Sequence, residues 1–523
     1  MRGISAMQKE QRPALKHPLW LLLTTPIIVT ALLSVGMLVY NGYISLTRFD
    51  MLNLPEFIGL KNYGALLSSA EFWVATGYTA IVLILSGGIC VGLGWLGGTG
   101  AARLPMPLQV AFAVLAGLGT MLGICFGHID ALGKVETYHI YLPIQLVLVG
   151  IGPALLIFYI GALTGRSRVA WHIAVGAMPV WMLLNKGVSL INRDTFLFPF
   201  SSEGIRNVWL PELLNQKANK IFDIGSAGAI FIMMLIMVGL LTAAAHIIIS
   251  RCLKSSPSFL LSQKVGKGMS LSVIILCAGA TLAMLILLLL LAITPDCDPL
   301  ALFPIENISA KSFEVLGETY NYAFMRAKPS YMLIALFVYF VAVLPPAVFF
   351  SFSSSKLRRP LMVVMLTASS LLSIFAGSYW VWAWFDMIDA PLPVIILECI
   401  SFPIYPAALL LTTLLLRRVT AGCQNFSEFL RSVRRVGATA TCLAGSYLLF
   451  ALALLFAQGT DVLIYSEHYK FPLSTIKGVS RASMGAGAAA SVLLIAVGAV
   501  LLIGGVVAIA VGVNKMLPKT EQN

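Results

Sequence analysis

Charge is scarce in this chain. Only 11% of its 523 residues are Asp, Glu, Lys or Arg, whereas 59% are hydrophobic and the mean hydropathy is +0.91. A water-soluble fold of this length could not cover so much apolar surface, so lipid is the solvent for most of the chain. Other absences narrow the function. No G-x-x-x-x-G-K-[ST] loop occurs, so the chain is not expected to bind ATP as a P-loop protein. No Ser/His/Asp arrangement or metal-ligand spacing stands out; no cofactor and no enzymatic activity are expected. The eight cysteines lie mostly inside apolar runs, with only Cys297 plainly outside them, so no disulfide framework is implied. His172 and His246 are each isolated and read as packing or interfacial residues.

What the chain has in abundance is long apolar runs, each able as a helix to cross a hydrocarbon core of about 30 Å. About twelve are expected, giving an all-α polytopic membrane protein. The first six spans are Leu19 to Ile44, Phe72 to Gly97, Pro107 to Gly127, Tyr138 to Leu163, Val169 to Ile191 and Ile224 to Ile249. The second six are Met269 to Thr294, Tyr331 to Phe352, Leu361 to Phe385, Pro391 to Leu416, Gly437 to Gln458 and Met484 to Val513. Pro105, Pro107 and Pro143 interrupt the stretch from Ala101 to Leu163 and blur its boundaries.

Arg2, Lys9, Arg12 and Lys16 precede the first run, which lacks a clear small-residue cleavage site and reads as a retained helix rather than a signal. With both termini cytoplasmic, about 21 of the 35 basic residues fall inside and about 18 of the 22 acidic residues outside, as the positive-inside rule requires. The net charge of +13 then reflects topology and contact with anionic lipid, not nucleic-acid binding.

The basic, Ser-containing stretch from Arg251 to Lys267 separates two sets of six spans and reads as a fusion linker between halves 1–255 and 256–523. In each half the first span is followed by a long outer segment, so the topology is duplicated.

The outer segment of the first half reads Leu54-Pro55-Glu56-Phe57-Ile58-Gly59-Leu60-Lys61-Asn62-Tyr63, then Ala65-Leu66-Leu67 and Glu71-Phe72-Trp73. It resembles the periplasmic segment of the larger permease subunit of maltose- and glycerol-phosphate-type ABC importers. Ile221-Phe222-Asp223-Ile224-Gly225-Ser226-Ala227-Gly228-Ala229 resembles the start of that subunit's last helix. In the second half, Phe303-Pro304, Ile308-Ser309, Asn321-Tyr322 and Phe324 resemble the outer segment of the smaller subunit, and Phe471 to Thr475 followed by a Gly/Ala-rich helix resembles its ending. The resemblance implies two six-helix halves of the type I ABC-importer kind, a carbohydrate or related polar solute, an ABC ATPase dimer on the cytoplasmic face, a periplasmic solute-binding protein, and location in a bacterial inner membrane.

Permeases of this family dock their ATPase through a cytoplasmic loop with a Glu-Ala-Ala segment and a glycine. Here only Gly165-Arg166-Ser167-Arg168 separates two spans of the first half, with no Glu-Ala-Ala segment, and the stretch reads as a tight turn. In the second half the loop from Arg417 to Val436 carries Gly422, Phe426, Phe429, Arg434 and Arg435, again without Glu-Ala-Ala. It reads either as a divergent docking helix or as an amphipathic interfacial segment whose arginines meet lipid phosphates.

Lys186, beside Asn185, and Glu398 are ionisable residues at membrane depth, where a charge needs a partner or a wet path. They are candidates for the solute path, against the plainer readings of a snorkelling lysine and a glutamate satisfied by a neighbouring helix. Trp380, Trp382 and Trp384, before Asp386 and Asp389, could face a carbohydrate or form an interfacial aromatic belt. Two other functional classes remain open: a permease descendant without ATP coupling that serves as a membrane scaffold or regulator, and a secondary transporter.

Overall fold

The computed structural model describes residues 17–50, 53–129, 138–163, 209–255, 263–294, 309–316, 336–352, 433–456 and 484–516, with isolated helical positions between 170 and 182, between 409 and 416, and at 476. In lipid the backbone must satisfy its own hydrogen bonds, and the apolar runs accordingly fold as helices. The order is α1 (His17–Ser45), β1 (Thr47–Arg48), β2 (Glu56–Phe57), α2 (Lys61–Ser68), α3 (Ala70–Ala101), α4 (Met106–Ile129) and α5 (Tyr138–Leu163). There follow α6 (Leu210–Asn215) with a π-helical turn at Gln216–Lys220, α7 (Ile224–Ser255), α8 (Gln263–Ile293), a helical turn at 311–316, a π-helical turn at Tyr339–Val343 running into α9 (Leu344–Phe352), α10 (Val433–Leu455) and α11 (Met484–Met516). The chain is an all-α polytopic membrane protein. Among the described residues six helices are long and apolar enough to cross a membrane: α3, α4, α5, α7, α8 and α11.

The proline-rich stretch from Ala101 to Leu163 resolves into two helices, with Pro143 and Pro153 accommodated inside α5. Pro105 lies in the turn between α3 and α4, which begins at Met106. The Gln109 amide donates to the carbonyls of Ala102 (3.3 Å) and Leu104 (2.7 Å), and the Tyr159 hydroxyl of α5 donates to the Gln109 amide oxygen (2.9 Å). One glutamine therefore serves carbonyls beyond the end of α3 and ties the turn to α5.

Helices in lipid gain little from hydrophobicity and associate by close packing, which small residues permit. Gly94 and Gly98, one turn apart on α3, lie against α5: a Cβ would come 2.7 Å from the Ala154 Cβ at the first and 2.6 Å from the Leu155 carbonyl oxygen at the second. The glycines of α11 act likewise. A Cβ at Gly445 of α10 would lie 2.7 Å from the Gly505 carbonyl oxygen, and a Cβ at Gly498 2.8 Å from the Met121 sulfur of α4.

Helices from the two expected halves exchange places. The first helix of the second set, α8, packs on α3 and α4 as well as on α11, while α1 packs on α7 and also on α9. One buried core joins α3, α5, α6 and α7, and a second joins α4, α8, α10 and α11; α5 contributes to both, Leu142, Leu146 and Phe158 to the first and Val149 to the second.

Candidate functional site

The densest polar construction among the described residues lies where α1 ends. A helix leaves its last four carbonyls without partners inside the helix, and buried carbonyls must find partners elsewhere. Here each has one. Gly42 O accepts from the Ser45 hydroxyl (2.7 Å), Tyr43 O from the Leu46 amide (3.0 Å), and Ile44 O from the Thr47 hydroxyl (2.8 Å). Ser45 O accepts from the Asn62 side-chain amide (2.9 Å), which also donates to Thr47 O (2.8 Å). Ile58 N donates to Leu46 O at 2.9 Å, beside a short antiparallel ribbon in which Thr47 faces Phe57 and Arg48 faces Glu56.

Gly59, at φ +66°, turns the chain from this ribbon into α2 through a conformation that disfavours a side chain. That turn brings Asn62 and Tyr63 back onto α1. Because the Ser45 hydroxyl spends its single proton on Gly42, the Tyr63 hydroxyl, 2.8 Å away, is the donor to Ser45 Oγ.

The start of α7 closes the construction. Ile224 N donates to Phe49 O (2.9 Å), and the Asp223 carboxylate accepts from Ser226 N (3.1 Å), as an N-cap does. A Cβ at Gly225 would overlap the Thr47 carbonyl oxygen and stand 2.9 Å from the Asn62 amide nitrogen; at Gly228 it would lie 3.2 Å from Ser45 N. The two first-half segments that carry the importer resemblance, 54–73 and 221–229, thus meet around one buried asparagine. Ser45 and Thr47 are buried with it.

Nearby, Leu210 N donates to the Thr79 hydroxyl of α3 (2.8 Å), seating α6 with Trp209 and Glu212 buried beneath it. Sequence reading passed over these residues. Their signal is Trp209-Leu210-Pro211-Glu212, a helix start with Pro near its first position and an acid in its first turn.

The second half has a partial counterpart. Ser309 N donates to Ile293 O at the end of α8 (2.8 Å), and Lys311-Ser312-Phe313-Glu314-Val315-Leu316 repeats Lys61-Asn62-Tyr63-Gly64-Ala65-Leu66 in burial. The second and sixth positions of both are buried, the first exposed and the third half-buried. Ser312 stands where Asn62 does, but its buried hydroxyl has no hydrogen-bond partner among the described residues. The Lys-x-aromatic-x-x-Leu spacing was visible in the sequence. Asn321, Tyr322 and Phe324, which carried the resemblance there, lie outside the described residues.

The sequence-derived candidates Asn185, Lys186, Trp382, Trp384 and Glu398, and the docking-loop residues Gly165, Arg166, Gly422, Phe426 and Phe429, also lie outside the described residues. Arg434 and Arg435 fall in the first turn of α10. No group of three or more His, Cys, Asp or Glu side chains suited to a metal occurs among the described residues.

Comparison with known proteins adds one relative. The chain is 33% identical over 121 residues to a probable ABC transporter permease protein of Sinorhizobium fredii. Over that stretch it is similar to a permease component of a transporter. The match covers 22% of this chain and 34% of the relative, so the chain spans about a third of that protein's length. No family model matches the chain.

Proposed function

We propose that this chain is the membrane-spanning permease of a binding-protein-dependent ABC importer, with two six-helix halves, 1–255 and 256–523, fused in one polypeptide. The observation that carries this reading is the convergence of segments 54–73 and 221–229 on the end of α1, through Asn62 and Gly225. Asn62 and Gly225, 163 residues apart and each in a segment that resembles the same subunit, meet at one carbonyl: Asn62 donates to Thr47 O and Gly225 packs against it. The permease similarity supports the reading, as does the exchange in which α1 reaches α9 and α8 reaches α3.

The solute is a carbohydrate or related polar molecule, passing between the halves near Asn185, Lys186, Glu398, Trp382 and Trp384. An ABC ATPase dimer docks at the cytoplasmic face through Gly422, Phe426, Phe429, Arg434 and Arg435, and a periplasmic solute-binding protein delivers the solute. The membrane is the bacterial inner membrane, with both termini cytoplasmic.

A specific observation favours a second reading, a permease descendant that acts as a scaffold without ATP coupling. Only Gly165-Arg166-Ser167-Arg168 separates two expected spans of the first half, and neither this stretch nor the loop from Arg417 to Val436 carries a Glu-Ala-Ala segment. Solute uptake by proteoliposomes carrying the chain, with and without its ATPase and binding protein, separates the two. Uptake that requires ATP is expected; uptake indifferent to ATP, or no uptake alongside a stable complex, overturns the importer.

A further inference from the structure

α2 is inside out for a helix in water. Its inward face carries the polar Asn62 together with Leu66; outward stand Leu60, just before the helix, and Gly64 and Leu67 at i+4 and i+7 from it, flanked by the exposed Lys61, Ala65 and Ser68. Leu60 is 71% exposed and Leu67 45%. The outward face is continuous with a lipid-facing stripe. The Trp73 indole N–H donates to Leu67 O at 2.8 Å, and Trp73 begins the exposed row of α3 that continues through Val74, Ile81, Ile84 and Leu85 along a membrane-crossing helix.

We infer that α2 lies in the boundary between headgroups and acyl chains of the leaflet where α3 begins, with Leu60 and Leu67 in lipid and the exposed Lys61 at the phosphate level. Three features select lipid as the occupant. The hydrogen bond from Trp73 to Leu67 O sets the outward leucines of α2 beside the exposed apolar row of α3. An indole at a helix start is the residue type that settles at this depth, apolar in its ring and polar at its N–H. The counterpart in the second half differs at two of these positions: Ala310 stands in place of Leu60 and the exposed Glu314, a side chain suited to water, in place of Gly64. The bilayer surface thus becomes a third support for the polar construction at the end of α1, beside α3 and α7. This holds for either reading of the function, because it requires neither ATPase nor solute.

The test uses the full chain, alone, in vesicles of phosphatidylcholine and phosphatidylglycerol, with spin labels at Leu60→Cys, Leu67→Cys and Glu314→Cys and the unsubstituted chain as labelling background. Labels at 60 and 67 are expected to be more accessible to oxygen than to a water-soluble nickel chelate, with the order reversed at 314. Nickel accessibility at 60 and 67 equal to that at 314 shows that the face is in water and overturns the proposal. If a cysteine variant fails to fold, a photo-crosslinking residue at Leu67 gives the same decision: adducts with phospholipid are expected, and their absence under conditions that label Ile81→photo-crosslinker overturns it.

Discussion

Asn62 and Gly225 meet over one backbone oxygen, that of Thr47. The asparagine amide donates to it at 2.8 Å, and the glycine leaves no room for anything larger than hydrogen against it. Neither residue needs to touch a solute to matter: together they fix how the first helix of the chain ends and how α7 begins.

Asn62→Ala leaves the buried carbonyls of Ser45 and Thr47 without their donor, and the destabilisation expected is about 2–3 kcal/mol. Asn62→Asp is expected to be at least as damaging, since a carboxylate oxygen would face two carbonyl oxygens. Thermal unfolding of the purified chain in detergent measures both; an unchanged midpoint for Asn62→Ala would show that the two bonds contribute nothing net.

Gly225→Ala forces a methyl group into the Thr47 carbonyl and should cost about 1–3 kcal/mol by overpacking. Gly239→Ala, further along the same helix with nothing within 4 Å of its Cβ, is the matched control and should leave the midpoint unchanged or slightly higher. Equal behaviour of the two variants would count against the close approach.

Ser312 holds the place of Asn62 without its bonds. Ser312→Ala removes a buried hydroxyl that lacks a partner among the described residues, so it should be neutral or stabilising by about 1 kcal/mol. A marked loss of stability would reveal a partner for that hydroxyl.

Gly445→Val places branched carbons where the Gly505 carbonyl and the Ile509 side chain already stand, both 2.7 Å from a Cβ. Separation of α10 from α11 is expected, read as loss of the monodisperse peak in size-exclusion chromatography. Gly437→Ala on the same helix meets nothing within 4 Å and should retain the peak.

Much of the architecture was legible in the sequence. The span Tyr138 to Leu163 is helical throughout despite its prolines, and the span expected from Ile224 starts where α7 starts. A run of apolar residues in lipid has few alternatives to a helix, so length and hydropathy suffice. The phrase around Asn62 was equally visible, but as a resemblance without a physical role. Glu212 and Trp209 lie in and beside a helix of six residues, too short for a periodic pattern to show.

Composition alone determined that the chain lives in a membrane, since nothing but lipid accommodates so many apolar side chains with so little charge. Tertiary structure decided which polar residues satisfy the carbonyls at the end of α1. It also decided that the helices of the two expected sets interleave and that α2 turns its leucines outward. Those outcomes depend on contacts between residues far apart in sequence. No local pattern records that Asn62 will find Thr47 only if Gly225 leaves room for it.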